Sequence, residues 1–549
     1  MLEGVVRFPP EFAQKYRDKG YWEDRTIASH FADWFREYAD RTAIIDGDKV
    51  VTYRDLDERS TRVALNLLDL GFRPLDRVVV CLPNVVEFAY LYFAFQKIGV
   101  VPIMALPTHR YLEISQFVDI AQAKACFVPA SARDYSFTDL VDRLRKEQDC
   151  LEMGIVYGPP QDGFLNVDEL LEREPAATEA DIAAIEIDPE DPAVFQLSGG
   201  TTGIPKLIPR SHNDYICNTR FAVAATETGP DKVLLDILPI GHNLPLACPG
   251  LQGFLMKGGT VVFCQTTRGE ALFPLIEKHR VTHIHCVPAL LIRWLHDPLI
   301  HDYDLSSLEY LQSGGQRLQP EVRKRAYDMI PQVFVQENFG MAEGMLFFAQ
   351  KHHEESVRME TVGFPVSEDD EVRLVDEEDN VVPFGEVGEL CCRGPYTLRG
   401  YFGTPEHNAR AFTSDGFYRT GDLMRQHPSG AYLVEGRKKD LINRGGEKIS
   451  AEEIENLILR HPAVKNIACI AMPDPVLGER MCACVIPVEG KTLTLEELIA
   501  HLEAFELARF KLPERLELMD DFPLSPFGKV SKKTLVEDIA KKLKAEASA

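Results

Sequence analysis

Hydrophobic and polar positions alternate along the first four hundred residues in blocks that predict helices and strands in turn. The segment DERSTRVALNLLDLGF (residues 57–72) has apolar residues at helical spacing and ends beside Gly71, a helix stop signal. The apolar runs DRVVVCLPN (76–84) and VVPIMA (100–105) predict buried strands, and VEFAYLYFAFQKIG (86–99) predicts the helix between them. This order favours right-handed crossovers and a mainly parallel sheet covered by helices.

The pattern changes near EGRKKDLINRGGEK (435–448), where five cations and a Gly-Gly pair fall within fourteen residues. Beyond it, a helix, two strands, a second helix and a lysine-rich tail predict a compact α+β unit of about a hundred residues. We therefore expect an α/β fold with two domains, a large N-terminal domain at 1–436 and a small C-terminal domain at 437–549.

Composition narrows the class of partner. The 549 residues are 45% hydrophobic and 26% charged, which is typical of a globular protein. Sixty basic and 85 acidic residues give a net charge of −25, which opposes general affinity for nucleic acid or an anionic membrane. An anionic ligand therefore needs a local site built from backbone amides and a few lysines.

The sequence also indicates the compartment. It has no export signal at its N-terminus and no apolar run of the ~18–20 residues that a membrane helix needs. Its 12 cysteines form no Cys-x-x-Cys pair, which predicts buried, reduced thiols rather than disulfides or a zinc site. We expect a cytoplasmic protein.

The sharpest chemical signal is the loop QLSGGTTGIPK (196–206), which follows an apolar strand. Its glycines can expose backbone N–H groups, and its hydroxyls and lysine can contact phosphate oxygens. Ile204 and Pro205 precede the lysine, so this is not a Walker loop. A flexible turn is the alternative, but three glycines, three hydroxyls and a lysine together favour phosphate binding. The predicted phosphate contacts are Ser198, Gly199, Gly200, Thr201, Thr202, Gly203 and Lys206.

This loop resembles the phosphate loop of the adenylate-forming superfamily, which includes acyl-CoA synthetases, luciferases and nonribosomal adenylation domains. Four further segments resemble that superfamily's motifs in the same order: NFGMAEG (338–344), YRTGDL (418–423), GRKKDLINRGGEKIS (436–450) and PLSPFGKVSKK (523–533). Five ordered motifs are far more specific than any one alone. The nearest resemblance is to stand-alone aryl-acid–AMP ligases of siderophore pathways, which activate salicylate or 2,3-dihydroxybenzoate.

The resemblance implies ATP and Mg²⁺ as cofactors and assigns roles to single residues. Glu343 would ligate Mg²⁺, Asp422 would hold the ribose hydroxyls with the support of Arg437, and Lys529 would be the catalytic lysine. The plainer alternatives are a helix-start acid for Glu343, a turn residue for Asp422 and a surface lysine for Lys529. The rest of the adenine and ribose site would comprise Gln316, Phe339, Gly340 and Ala342.

Two residues of NFGMAEG depart from the superfamily pattern. Ala342 stands where most members have threonine, a change that the aryl-acid subgroup shares. Asn338 stands where that subgroup has an apolar residue, so the polarity beside the aryl ring or the adenine differs here.

The resemblance also implies a second reaction. The C-terminal domain would rotate about a hinge at Lys439, withdraw the catalytic lysine and bring Gly445, Gly446 and Lys448 toward an incoming thiol. Solvated cations are the alternative for these lysines. Since the sequence carries no carrier domain after this unit, we expect the phosphopantetheine thiol to come from an aryl carrier protein in trans, or else from coenzyme A.

The stretch GHNLPLACPG (241–250) places a histidine near a cysteine, which by itself suggests a nucleophile pair. In an adenylate-forming enzyme the substrate carboxylate attacks ATP, so no acyl-cysteine is needed. His242 would then lie at the mouth of an aryl-acid pocket as a second catalytic residue, Asn243 would bond the ortho-hydroxyl, and Cys248 would face the ring. Gly314 and Gly315 would let the backbone approach the substrate, with Asn338 nearby.

In the resembling ligases, cysteine at the Cys248 position accompanies salicylate and serine accompanies 2,3-dihydroxybenzoate. A thiol is a weak partner for a 3-hydroxyl, so the direction is physically sensible. Salicylate is the favoured substrate. An acyl-CoA ligase, a non-enzymatic nucleotide-binding protein and an amino-acid-activating domain are the rival functions.

One further pair of side chains could bind a metal. His283 and His285 share a face of the predicted strand THIHCVP (282–288), but no third ligand has suitable spacing. We expect them to line the core or a pocket.

Overall fold

The structure of the chain is a computed structural model. It describes residues 2–132, 135–198, 206–315, 317–444, 447–474, 477–505, 509–525 and 529–548. Within these residues the strands form three sheets in the N-terminal part and one in the C-terminal part, besides a short hairpin of Ser131–Ala132 and Tyr135–Ser136.

The largest sheet is parallel at its centre and antiparallel only at its edges. Strands far apart in the sequence are neighbours in it, as right-handed crossovers require. In spatial order its nine strands are Phe364–Pro365, Leu346–Phe348, Phe334–Gly340, Tyr310–Ser313, His283–Cys286, Val233–Asp236, Thr260–Phe263, Thr42–Asp46 and Lys49–Thr52.

A second sheet has seven strands, with one antiparallel pair at an edge. In spatial order they are Leu207–Ser211, Pro192–Leu197, Val101–Met104, Arg77–Val80, Ala125–Pro129, Met153–Tyr157 and Leu165–Asn166. The strands predicted at 76–84 and 100–105 pair side by side in this sheet.

Helices cover these sheets and bury their apolar faces in two large clusters and one smaller one. The N-terminal helices are Pro10–Asp18, Ile27–Glu37, Tyr53–Asp69, Val86–Ile98, Tyr111–Ala121, Phe137–Glu147, Val167–Glu172, Glu179–Ala183, His212–Ala225, Asn243–Ala247, Gly250–Met256, Gly269–His279, Pro288–Leu295, Pro320–Met329, Glu355–Glu360 and Pro405–Ala411, with a 3₁₀ turn at Pro298–His301. The predicted fold of covered, mainly parallel sheets is confirmed.

A local cap explains why one predicted helix starts early. The helix expected from residue 57 begins at Tyr53, because the Thr52 hydroxyl accepts the N–H of Asp55 while the Asp55 carboxylate accepts the N–H of Thr52. This reciprocal capping satisfies two backbone donors that the apolar pattern does not register.

Two smaller sheets complete the chain. An antiparallel sheet of Glu371–Val375, Val387–Arg393, Tyr418–Gln426 and Tyr432–Arg437 closes the N-terminal part. The C-terminal sheet comprises Glu447–Ser450, Leu441–Arg444, Gly478–Pro487, Val464–Asp474 and Arg515–Leu518, packed against helices Ala451–Ile458, Leu495–Glu503 and Lys532–Ser548. Short 3₁₀ turns occur at Lys438–Asp440 and Arg509–Lys511. In the part of the chain that is described, every helix is too short or too polar to cross a membrane.

An unusual carboxyl group lies at the end of a central strand. Asp236 is fully buried, and neither of its carboxyl oxygens has a hydrogen-bond partner among the described residues. Burial raises the pKa of Asp236 well above its ordinary value, because the charged form would lose its hydration. The folded protein therefore keeps this group protonated.

We predict that Asp236→Asn removes a pH-dependent loss of stability. The unfolded chain releases the Asp236 proton above about pH 4, whereas the folded chain retains it, so rising pH favours unfolding by up to about 1.4 kcal/mol per pH unit. Asparagine does not titrate. The melting temperature of the variant should therefore gain on that of the wild type as pH rises from 5 to 8. A constant difference across this range would contradict the prediction.

Candidate functional site

The candidate site lies at one edge of the nine-stranded sheet. Strands Val233–Asp236, Tyr310–Ser313 and Phe334–Gly340 run in the same direction, so the chain segments that follow them meet at their carboxyl ends. Such an edge is where open α/β sheets bind their ligands.

The segment Gly241–Gly250 leaves the first of these strands. His242 precedes the short helix Asn243–Ala247, and Cys248 follows it with its side chain buried. The Cys248 sulfur accepts hydrogen bonds from Nδ2 of Asn243 (3.2 Å) and from Nδ2 of Asn218 (3.0 Å), a residue of helix His212–Ala225. We call Asn218, Asn243 and Cys248 the amide wall.

Cys248 has the wrong environment for a nucleophile. Burial raises the pKa of its thiol to about 11, despite the hydrogen bond from Asn218. A thiol becomes reactive when its pKa falls near or below neutrality, beside cations or at a helix start. Cys248 and His242 are therefore not a nucleophile pair. Cys248 belongs to the amide wall, and His242 lies beside it.

His242 and Lys529 lie together. Burial and, as a second cause, the positive charge of Lys529 lower the pKa of His242 to about 3, so this imidazole is neutral at pH 7. A Cβ atom built on Gly315 would lie 2.8 Å from Cε of Lys529, which shows that the lysine side chain rests on the glycine backbone. Gly315 has φ +84°, a conformation that favours glycine.

The backbone of Lys529 is anchored by hydrogen bonds to Ser525. Its carbonyl oxygen accepts the N–H of Ser525 (2.7 Å), and its own N–H donates to the Ser525 hydroxyl (3.3 Å). The sequence placed this lysine in a Pro-Phe-Gly-Lys turn, and its side chain extends from the C-terminal sheet region to the N-terminal site.

Asn338 belongs to the strand Phe334–Gly340 and lies at the same edge of the sheet, beside Gly314. A Cβ atom on Gly314 would overlap Oδ1 of Asn338, so the carboxamide lies flat against this glycine. Gln312, two residues before Gly314, donates from Nε2 to the carbonyl oxygen of Cys248 (3.2 Å). These contacts bring Gly314, Asn338 and the amide wall close together.

Glu343 is held by two tyrosines that sequence reasoning did not assign. The Tyr401 hydroxyl donates to Oε1 of Glu343 (2.8 Å), and the Tyr418 hydroxyl lies 2.7 Å from that of Tyr401. Because the hydroxyl hydrogen of Tyr401 forms the hydrogen bond to the carboxylate, the Tyr418 hydroxyl must be the donor in its hydrogen bond to Tyr401. Burial raises the pKa of Glu343, and the Tyr401 hydrogen bond opposes that rise. Tyr418 belongs to the motif YRTGDL, but Tyr401 carried no comparable signal.

Lys206 faces the same carboxylate. Burial lowers the pKa of its ammonium and the charge of Glu343 raises it, which makes the two groups electrostatic neighbours. The Lys206 N–H donates to the Ser198 hydroxyl (3.0 Å), and the Ser198 N–H donates to the Lys206 carbonyl (3.0 Å). The loop between them was also predicted to bind phosphate, but its residues Gly199, Gly200, Thr201, Thr202 and Gly203 lie outside the described residues.

Asp422 and Arg437 are opposite each other on two antiparallel strands. The Arg437 Nε donates to Oδ1 of Asp422 (2.8 Å). The charge of Asp422 raises the pKa of Arg437.

The remaining predicted residues have varied outcomes. Phe339 packs edge to face on Phe347, Gly340 lies beside the Leu346 side chain, and the carbonyl of Ala342 accepts from Nη1 of the buried Arg210 (2.9 Å). The backbones of Lys439 and Lys448 lie in the turn Lys438–Asp440 and the strand Glu447–Ser450. Gln316, Gly445 and Gly446 lie outside the described residues.

His283 and His285 belong to the core, as predicted. The His283 ring stacks on Tyr310 with 4.8 Å between centroids, and its Nε2 bonds the carbonyl of Thr226 (3.0 Å). His285 is buried on the same strand. The described part of the chain has no cluster of three or more His, Cys, Asp or Glu side chains placed to hold a metal ion.

The arrangement separates two chemical environments. Lys206 and Arg437 supply positive charge around Glu343 and Asp422, and Lys529 adds positive charge beside His242, although the chain is strongly acidic overall. The amide wall and Asn338 are neutral. Such a site can hold a polyanion at its charged part and a neutral ring at the other.

Comparison with known proteins gives consistent results. The family model of AMP-binding enzymes matches residues 31–402, and the model of the AMP-binding enzyme C-terminal domain matches residues 453–529. A Streptomyces protein named salicylyl-CoA synthase / salicylate adenylyltransferase is 44% identical, over 97% of each chain. The 2,3-dihydroxybenzoate-AMP ligase of Bacillus subtilis is 41% identical, over 99% of each.

A solved structure has the same architecture along nearly the whole chain. The apo structure of MbtA from Mycobacterium smegmatis superposes with a TM-score of 0.75 at 40% identity, and covers 97% of this chain and 98% of its own.

We predict that iodoacetamide at pH 7.5 alkylates Cys150 well before Cys248. Cys150 is only partly buried, whereas Cys248 is 2% exposed and has a pKa of about 11, so it presents little thiolate. Peptide mass spectrometry over a time course measures both rates. In urea the two thiols should react alike. Faster labelling of Cys248 in the folded protein would restore the nucleophile hypothesis.

Proposed function

The chain belongs to the family of AMP-binding enzymes, and from that premise we propose that this adenylate-forming ligase activates a hydroxybenzoic acid and transfers the aryl group to a carrier-protein thiol. Salicylate is the proposed acid, favoured over 2,3-dihydroxybenzoate. The observation that carries the proposal is the contact of Lys529 with Gly315, beside a neutral His242 and the amide wall.

Recognition of the acid would use the amide wall. Because Nδ2 of Asn243 donates to Cys248, its Oδ1 is directed elsewhere as an acceptor, which suits the ortho-hydroxyl of salicylate. An amino acid would instead need a carboxylate near its ammonium group, and Asn243 is neutral. The Cys248 sulfur already accepts two hydrogen bonds, so it offers a 3-hydroxyl little.

The first reaction would be an in-line displacement at the α-phosphorus of ATP. A carboxylate oxygen of the acid forms the new bond to phosphorus, and the bond to the bridging oxygen breaks, so that its electron pair leaves with pyrophosphate. Lys529 would bind the carboxylate and the α-phosphate and offset the charge that develops between them. His242, being neutral, can orient the same oxygen atoms without adding charge.

ATP would be held by the charged part of the site. Lys206 and the loop that precedes it would contact the phosphates, and Asp422, oriented by Arg437, would accept the ribose hydroxyls. A Mg²⁺ ion fits Glu343, because a single carboxylate oxygen completed by phosphate oxygens and water is the ligand set that this ion prefers. When bound, it would neutralise charge on the departing pyrophosphate. Tyr401 would fix the orientation of the Glu343 carboxylate.

The second reaction would transfer the aryl group from AMP to a thiol. We propose a domain boundary at residues 436 and 437, rotation about Lys439, and approach of the phosphopantetheine arm past Gly445, Gly446 and Lys448. Coenzyme A is the second candidate acceptor, and the Streptomyces relative named salicylyl-CoA synthase / salicylate adenylyltransferase favours it. The proposed location is the cytoplasm, which suits 12 free thiols.

A pyrophosphate-exchange screen tests the proposed substrate. We expect salicylate to give the highest kcat/KM among salicylate, 2,3-dihydroxybenzoate, benzoate and the twenty amino acids. Salicylate has an ortho-hydroxyl for the acceptor at Asn243 and no 3-hydroxyl that would need a strong partner at Cys248. Holo carrier protein and coenzyme A are then offered to the aryl-adenylate. Exchange with an amino acid and with none of the aryl acids would exclude the proposal.

Lys529→Ala should separate the two reactions. Loss of the ammonium should lower the adenylation kcat by about a hundredfold or more, because it removes charge stabilisation at the α-phosphate. Thiol acylation from a supplied aryl-adenylate should continue. Lys533→Ala is the matched control, since that lysine lies on the exposed side of the same region. Equal losses in both half-reactions would argue against the assigned role.

A further inference from the structure

Asn338 is a buried amide in an apolar setting. It is 6% exposed, and its Oδ1 has no hydrogen-bond partner among the described residues. Its partner across the antiparallel pair is Phe348, which packs with Leu346 and Cys248 in one hydrophobic cluster. A carbonyl oxygen kept from water without a donor costs free energy in the folded protein, so its retention at this position calls for an explanation.

A structural asparagine in the same region looks different. Asn84 donates from Nδ2 to the carbonyls of Asp236 (3.1 Å) and Leu238 (2.7 Å) and accepts the Ile240 N–H at Oδ1 (2.9 Å). Every polar atom of that amide serves the fold. Oδ1 of Asn338 serves no such contact within the described chain, and it lies against Gly314.

The position of Asn338 relates it to the substrate. Asn338 contacts Gly314, and the side chain of Lys529 contacts the neighbouring Gly315. The Asn338 amide therefore borders the space just inside the point where the carboxylate would bind. Asn243 belongs to a different element, the helix Asn243–Ala247, and its Oδ1 is also a buried acceptor without a partner among the described residues. Two acceptors on separate elements can therefore contact two different positions of one ring.

We propose that Asn338 selects an acid with a second hydrogen-bond donor, a hydroxyl or amino group, on the ring edge that faces Gly314. This inference rests on the proposed function, because it assumes that an aryl acid occupies the site. The class is a salicylate substituted at carbon 4, 5 or 6, and not at carbon 3, which would face Cys248. An anionic substituent is excluded, since the amide oxygen would repel it.

The test compares a panel of acids in pyrophosphate exchange. The panel contains salicylate and the 2,4-, 2,5- and 2,6-dihydroxybenzoates, with 4- and 5-aminosalicylate and the methoxy counterpart of each second hydroxyl. At least one doubly substituted acid should exceed salicylate in kcat/KM by about tenfold. Its methoxy counterpart should lose that advantage, because a methoxy oxygen cannot donate.

Asn338→Leu, which keeps the shape of the side chain, should abolish the preference. We expect the ratio of kcat/KM for the best acid to kcat/KM for salicylate to fall by about tenfold or more. If the variant does not fold, as judged by its melting curve, the methoxy comparison in the wild type still decides the matter.

Three results would overturn the inference. One is a wild-type enzyme that activates salicylate at least as well as every substituted acid. Another is an undiminished response to the methoxy acids. The third is an Asn338→Leu variant that loses activity equally with all acids and has a raised KM for ATP, which would assign the amide to the nucleotide. Failure of every aryl acid would instead reject the proposed function itself.

Discussion

The parallel pairing of four central strands is the constraint on which the site depends. Leu235 pairs with Ile284, Ile284 with Leu311, and Leu311 with Val335, so the strands stay in register and end at one edge of the sheet. The segments that leave this edge carry the amide wall, the Gly314 and Gly315 turn, and the chain from Asn338 to Glu343. A shift of one residue in any pair would turn alternate side chains to the opposite face and dismantle the site.

Burial then gives these groups their chemical character. Removal from water holds His242 neutral, keeps the Cys248 thiol protonated and lowers the pKa of Lys206, a change that the charge of Glu343 opposes. The charged residues lie where the proposed phosphate chemistry would need them, and neutral amides border the proposed position of the ring. The charged and the neutral side chains therefore occupy different parts of one site, because the environment of each group sets its protonation state.

The C-terminal part of the chain contacts the N-terminal part through polar side chains, such as the Ser450 hydroxyl, which donates to the carbonyl oxygen of Glu435 (2.7 Å). Lys529 reaches Gly315, and the ion pair of Arg460 with Glu321 (3.2 Å) joins the two parts at side chains that are 43% and 41% exposed. An exposed ion pair adds little stability. This ion pair is compatible with the proposed rotation, because breaking it would cost little free energy.

The sequence by itself determined the fold class, the main strands and helices, and the segments that carry the chemistry. Apolar periodicity is local, as are the glycine loop and the Pro-Phe-Gly-Lys sequence that ends at Lys529, so these features can be identified residue by residue. Tyr401, Asn218 and the unpaired oxygen of Asn338 were decided only by the tertiary structure. Tyr401 lies 58 residues from Glu343, and Asn218 lies 30 residues from Cys248. A hydrogen bond depends on two side chains meeting in space, and no local pattern records a meeting that the strand order of a whole sheet brings about.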